Sequence, residues 1–99
     1  MARLDVHRSR TGSILLLNVQ AEALDHLNTR MVVPLLPPEE APKPARYLNP
    51  EFQVDGRDVV MATQYMAAVP KSELGDKVAS LSSNHAEIVT ALDMLFLGF

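Results

Sequence analysis

The sequence contains no cysteine and no tryptophan, and only five of its 99 residues are Phe or Tyr. Without thiols there is no disulfide framework, no thiolate nucleophile and no cysteine-ligated zinc. The three histidines, His7, His26 and His85, lie far apart in sequence, so the close ligand spacing that marks a metal site is missing too. The usual staples of a small fold are therefore absent. Positive charge is scarce: nine Lys and Arg stand against twelve Asp and Glu, a net charge of -3. No basic segment is dense enough for nucleic-acid binding as the main role. Apolar runs such as Ile14-Leu15-Leu16-Leu17 are too short to span a bilayer or to form the apolar region of a secretory signal, and Asp5 interrupts the basic residues ahead of that run. A cytosolic protein without membrane contact is expected. Gly12, Gly56, Gly75 and Gly98 are scattered, which excludes a phosphate-cradling glycine loop.

What the chain does have is apolar side chain. Hydrophobic residues make up 47% of it, whereas a chain of this length buries only roughly 60–65% of the surface its unfolded form exposes. One small core does not hide so much. Oligomerisation is expected, most simply as a symmetric homodimer.

The pattern along the chain is one of short strands. Residues 2–7 alternate, with Leu4 and Val6 on one side and Arg3, Asp5 and His7 on the other. Residues 8–13 read as an exposed hairpin loop, and Ile14 to Val19 as a strand apolar on both faces. Ala21 to Leu27 suits a short helical turn. Residues 30–36 form a third strand, in which Pro34 marks an edge, a bulge or a strand end. Residues 37–50 hold five of the seven prolines. Each removes a backbone donor and restricts its predecessor, so this is a long ordered loop with room for a short edge strand at most. Neither flanking half is large enough to fold alone, and residues 1–99 are expected to form one domain.

Glu51 to Val54 is a short strand, Asp55-Gly56 a turn, and residues 59–63 the partner strand. Residues 65–70 are extended, residues 71–75 turn, and residues 77–79 form a brief extended piece. The last segment is helical. Asn84 and Glu87 have the spacing of a capping box, with Ser82 or Ser83 as alternative caps one register earlier; no Pro or Gly interrupts His85 to Leu97, and Gly98 stands where the helix stops. Ile88, Ala91, Leu92 and Leu95 share the stripe assigned to the core, while Glu87, Thr90 and Asp93 face water. Met94-Leu95-Phe96-Leu97 is apolar around the whole circumference, so part of it needs a partner. Strands followed by one helix, without a strand–helix–strand rhythm, define an α+β fold or small barrel.

Catalytic patterns are weak. The serines, Ser9, Ser13, Ser72, Ser80, Ser82 and Ser83, lack a nucleophile-elbow context, and a helix start accounts for Ser82-Ser83-Asn84-His85. Glu39-Glu40, Glu51, Asp55 and Asp58 fall in or near turns and read as surface charge. One enzyme class survives: a metal-independent ribonuclease needs only arginine, histidine and a carboxylate around a phosphate. Arg3, Arg8, Arg10, Arg30 and Arg57 are available, with no spacing that selects a set.

Four segments, in order, carry a resemblance: Asn18-Val19-Gln20, Arg30 to Leu35, Met66 to Pro70, and Leu95 to Phe99. With them the whole chain resembles the CcdB family, the DNA gyrase poisons of bacterial toxin–antitoxin pairs. The resemblance implies an SH3-like small antiparallel barrel, a small extra sheet from a hairpin, a C-terminal helix and a homodimer. It implies a toxin that is not an enzyme and needs no cofactor or metal. Its tail enters the gyrase A subunit dimer and traps the enzyme–DNA cleavage complex. A cognate antitoxin would wrap the toxin with a disordered C-terminal segment and carry the operator-binding domain. The toxin is then a corepressor that meets operator DNA only indirectly. The exposed parts of the Leu27-to-Leu36 region and of the helix are where such a segment would lie.

Carried over residue by residue, the gyrase-binding set is Ala23, Leu24, Asp93, Phe96, Leu97, Gly98 and Phe99. The alternative role for Phe96 and Leu97 is to close the core or a dimer seam. The chain departs from the family pattern, which has Trp at the position of Leu97, Ile at Phe99, Asn at Asp93 and a branched apolar residue at Ala23. A tryptophan stacks on an arginine through cation–π attraction and a leucine does not. Two other readings therefore stand beside the gyrase poison: an endoribonuclease toxin on the same fold, and a degenerate toxin that retains antitoxin binding without gyrase poisoning.

Overall fold

The computed structural model describes residues 2–99. Seven strands, β1 (Asp5–Ser9), β2 (Leu15–Asn18), β3 (Thr29–Leu36), β4 (Glu51–Val54), β5 (Arg57–Met61), β6 (Ala67–Pro70) and β7 (Leu74–Ser80), precede one helix, α1 (His85–Leu97). The strands form one antiparallel sheet in the order β4-β5-β3-β2-β1-β7, with β6 also pairing β3. This is the expected α+β arrangement, a curled sheet with a C-terminal helix. The β4–β5 hairpin is not a separate sheet, however, because Leu35↔Met61 and Leu36↔Val60 join it to β3.

Strand β3 explains the odd proline. One edge pairs with β2 from Val32 to Leu35. The other edge pairs first with β6, Thr29↔Pro70 to Val32↔Ala67, and then with β5. Pro34 is neither at the sheet edge nor at the strand's end, contrary to the sequence reading. It sits where β3 changes partner. The Val19 N–H donates to the Met31 carbonyl at 3.1 Å, and antiparallel alternation makes Leu17–Val33 the next hydrogen-bonded pair. Pro34, opposite Leu16, is thus a non-bonded position towards β2, and its missing N–H faces the gap between β6 and β5. Its carbonyl still accepts from the Ala62 N–H at 3.0 Å.

Alternation along the strands builds two apolar clusters. Val6, Leu17, Val33 and Leu35 face the helix and join Phe52, Val54, Val59, Met61, Leu81, Ile88 and Ala91 in the main core. On the opposite face Leu16 and Val32 meet Leu74, with Val69 packed against them. The curl that brings β6 and β7 towards each other encloses this second cluster, which is why the Ile14–Leu17 run is apolar on both sides.

The first strand starts later than the alternation of residues 2–7 predicts. Ala2 to Asp5 form a tight turn closed by the Asp5 N–H on the Ala2 carbonyl at 3.2 Å, with Leu4 at a φ of 72°. A buried leucine there is strained. Asp5 and His7, on the side opposite Leu4 and Val6, are buried as well, each with a partner on β7. The Asp5 carboxylate lies 3.3 Å from Lys77 Nζ, and His7 Nδ1 donates to the Gly75 carbonyl at 3.0 Å. Strand β7 runs seven residues, not the brief piece expected at 77–79. Its pairing with β1 shifts register twice, which erases the period-2 signal. Gly75 belongs to that irregularity, since a Cβ there would stand 2.7 Å from the Arg8 carbonyl oxygen.

Two further expectations, the partner strand and the capping box, are corrected, and the loop is seen in detail. The partner strand placed at 59–63 is β5, ending at Met61, because Thr63–Tyr65 turns helically. The loop 37–50 contains one helical turn, Pro38–Glu40, and no strand. Asn49 orders its second half: Oδ1 accepts from the Ala45 N–H at 3.0 Å, and Nδ2 donates to the Met61 carbonyl at 2.9 Å. The capping box does not form. A helical turn at Ser82–Asn84 leaves Asn84 at φ -102°, ψ 22°, away from the extended geometry that a capping side chain needs, and Nδ2 instead meets Glu87 Oε1 at 3.4 Å. No helix among the described residues is long and apolar enough to cross a membrane.

The β1–β2 loop is tied to the turn before β7 by one carboxylate. Glu73 Oε1 accepts from Thr11 Oγ1 at 2.7 Å and from Ser9 Oγ at 3.0 Å. The Thr11 hydroxyl, then the Ser9 hydroxyl, hold the Glu73 carboxyl below its ordinary value of 4.5. A carboxylate whose folded pKa is depressed contributes stability above its unfolded pKa and loses it as pH falls through the lower folded value. We therefore expect Glu73→Gln to be less stable than the parent at pH 7, with the thermal midpoints converging as pH drops below 4.5. A constant gap across a pH series of melts would contradict this assignment.

Candidate functional site

Helix α1 divides into two halves with different surroundings. Ile88 and Ala91 are buried and Leu92 packs against the main core, as the apolar stripe predicts. Leu95, the fourth residue assigned to that stripe, is exposed. The last turn has outrun the sheet beneath it, so the helical period no longer decides burial. Phe96 is 68% exposed, Leu97 61% and Phe99 84%. Large apolar side chains gathered this openly at one helix end make it the candidate interaction surface.

Gly98 shapes the end of this surface. Its φ of 82° is left-handed, and its N–H closes the helix on the Met94 carbonyl at 3.1 Å. Glycine takes this conformation without steric cost and ends the helix there. Phe99 consequently leaves the helix axis. Asp93 is exposed one turn back.

Ala23 and Leu24 lie on the exposed turn Glu22–Leu24, which buries none of its residues. The helix packs its Ile88, Ala91 and Leu92 on the main core, and its closest backbone neighbours are the turns at 63–65 and 82–84. The predicted set therefore occupies two separate elements, a tail and a loop.

Arginine chemistry looks different once the side chains are placed. Arg30, one of five arginines open to a catalytic role in the sequence, is 1% exposed, and its guanidinium is committed to backbone carbonyls. Arg3 Nε donates to the Val19 carbonyl at 3.0 Å. The groove beside Arg8, Arg10 and Asp76, and the one beside Arg57, Glu39, Glu40 and Asp58, each combine arginine with carboxylate but hold no histidine. The second of these is the larger, about 640 Å³, with Ile14, Leu15, Leu36 and Val59 in its lining. Sequence reasoning missed it because its walls come from the β1–β2 loop, the end of β3 and the β4–β5 hairpin.

A family model described as CcdB protein matches residues 3–98. Among solved structures, the fold is similar to an endoribonuclease in complex with its cognate antitoxin from a mycobacterial species, at 20% identity and a TM-score of 0.78, covering 100% of this chain and 98% of that one. It is also similar to an endoribonuclease from a mycobacterial species, again at 20% identity, with a TM-score of 0.79 and coverage of 100% and 94%. At that identity the likeness concerns the fold.

The contrast between the two halves of α1 is measurable. Ile88→Ala removes a fully buried side chain and is expected to cost about 2–5 kcal/mol of unfolding free energy. Phe99→Ser, at the exposed end, is expected to change it by about 0.5 kcal/mol or less. Urea denaturation of both variants checks the division, and a large loss from Phe99→Ser would show that the tail belongs to the core.

Proposed function

The chain belongs to the CcdB family of toxin–antitoxin toxins, and on that premise we propose that it is a non-enzymatic toxin that binds the DNA gyrase A subunit and traps the cleavage complex. The observation that carries this reading is the bare apolar tail, Phe96, Leu97 and Phe99, at the end of α1. Fully burying a Leu or Phe side chain is worth about 1.5–3 kcal/mol, and a small cluster of such anchors supplies most of an interface's energy. Gly98 lets the tail approach a partner's backbone closely. Ala23 and Leu24 contribute a second, smaller contact, and Asp93 borders the tail.

A homodimer would present two copies of this surface about a two-fold axis, which suits a symmetric target such as the gyrase A dimer. Simultaneous insertion of both tails then raises the effective affinity beyond that of one. The surplus of apolar side chain supports the same dimer.

A cognate antitoxin is the partner we assign to the groove between Ile14, Leu36 and the β4–β5 hairpin. Glu39, Glu40 and Asp58 outnumber Arg57 on its rim, a balance that favours an extended segment carrying lysine or arginine. Operator contact then runs through the antitoxin, with the toxin as corepressor.

The solved endoribonucleases of similar fold support a second reading, an RNA-cleaving toxin. It is the weaker one here, because Arg30 is withdrawn from solvent and neither arginine–carboxylate groove holds a histidine. Leu97 and Ala23 favour a third, a toxin that retains antitoxin binding without gyrase poisoning.

Supercoiling and DNA-cleavage assays with purified gyrase distinguish the three. The expected result is inhibition with trapped cleaved DNA, abolished by deleting Phe99 and strengthened by Leu97→Trp, on the order of tenfold for a restored cation–π stack. A folded protein that leaves gyrase untouched, even with tryptophan at 97, would sink the poison reading. Cleavage of RNA by the purified chain would replace it with the second.

A further inference from the structure

Residues 21–28 connect β2 to β3 without a buried residue among them, so no hydrophobic anchor fixes their shape. Leu24 is 43% exposed and Leu27 39%. Polar ties hold the loop instead. The Arg30 Nη1 group donates to the Leu27 and Thr29 carbonyls, each at 2.8 Å, and Nη2 donates to the Asp25 carbonyl at 2.8 Å. The Asp25 carboxylate stands 3.8 Å from Nη2. From the other side Gln20 Nε2 donates to the Leu24 carbonyl at 3.1 Å, while its Oε1 accepts the Met31 N–H at 2.9 Å.

This is a costly way to close a surface loop. A buried guanidinium is unfavourable unless its donors are satisfied, and here Nε has no acceptor. Its neighbour two residues along, Val32, lies on the same face of β3 and belongs to an apolar cluster. What the arginine provides is a fixed path for the carbonyls of residues 25, 27 and 29. With Gln20 tied to residue 24, four carbonyl positions along the loop and its exit are held by side chains, while its two leucines remain exposed.

We propose that Arg30 and Gln20 are positioning residues that preorganise the 21–28 loop, so that Leu27 joins Leu24 as a contact to the target engaged by the tail. The proposal rests on the gyrase-binding reading given above. Its physical content is entropic: a loop already held in its bound shape loses less freedom on association. Leu27 has no counterpart in the set carried over from the family resemblance. It is identified by its exposure and by the guanidinium that grips its own carbonyl.

The test uses the intact chain, purified gyrase A subunit and three substitutions. Gln20→Ala removes both side-chain ties at a half-buried position and leaves Arg30 in place, so the fold survives. Gln20→Glu keeps an acceptor for the Met31 N–H but loses the donor to the Leu24 carbonyl. Leu27→Ser removes the contact without touching the clamp. Hydrogen exchange at residues 21–28 is expected to accelerate in both Gln20 variants and to stay unchanged in Leu27→Ser. All three are expected to bind gyrase A about tenfold more weakly, with self-association, read by sedimentation, unaltered. Full affinity in the Gln20 variants despite faster exchange would overturn the clamp's role, and full affinity in Leu27→Ser would overturn the added contact; either leaves the gyrase reading standing. Weakened self-association would reassign the loop to a dimer seam. A parent chain that fails to bind gyrase A would sink the underlying reading, and the loop's role with it.

Discussion

The fold depends on one strand that must satisfy three neighbours. β3 pairs with β2 along one edge and with β6 and then β5 along the other. Its side chains also feed both apolar clusters, Val33 and Leu35 on the helix side and Val32 on the other. A one-residue slip would invert these sides and turn Arg30 out of its carbonyl cage. Pro34 adds a restriction of its own. A residue without an N–H is tolerated only where no partner needs that donor, which is the gap between β6 and β5. Proline thus acts as a register mark inside the strand.

That constraint explains what was legible in the sequence. Elements whose pattern is local were readable: the Glu51–Val54 strand, the Asp55-Gly56 turn with both φ values positive, the helix and its Gly98 stop. Elements that depend on a distant partner were not. β7 is irregular because it bends around β1, so its alternation fails. The alternation sets Asp5 and His7 opposite Val6 but gives no sign of the β7 partners, Lys77 and Gly75, that accompany their burial. The capping box failed for a related reason, since the backbone enters α1 through a helical turn that the residue identities at 84 and 87 do not encode.

The candidate site was legible in a different degree at its two places. The tail was readable because a helix end apolar all round cannot be covered by one sheet, and Phe96, Leu97 and Phe99 are bare. Only the position of Leu95 was misassigned, because periodicity says which face a residue lies on but not where the supporting surface ends. The loop was readable only through the family resemblance. Nothing local separates Ala23 and Leu24 from an ordinary connection. Arg30 looked like one of five interchangeable cations until its three carbonyl partners placed it inside the protein.

These two places solve one problem by different means. An exposed apolar side chain weakens solubility, and a protein that must reach its target has to keep such side chains available without letting its own core absorb them. At the tail, availability comes from geometry: the helix extends past the sheet and Gly98 turns the chain away. At the loop it comes from hydrogen bonding, which fixes the backbone without any apolar anchor and leaves the leucines outside. Neither device takes its exposed side chains from the main core, whose residues from Leu4 to Ala91 are buried. The residues that form the buried core and those proposed to meet a target are therefore different ones.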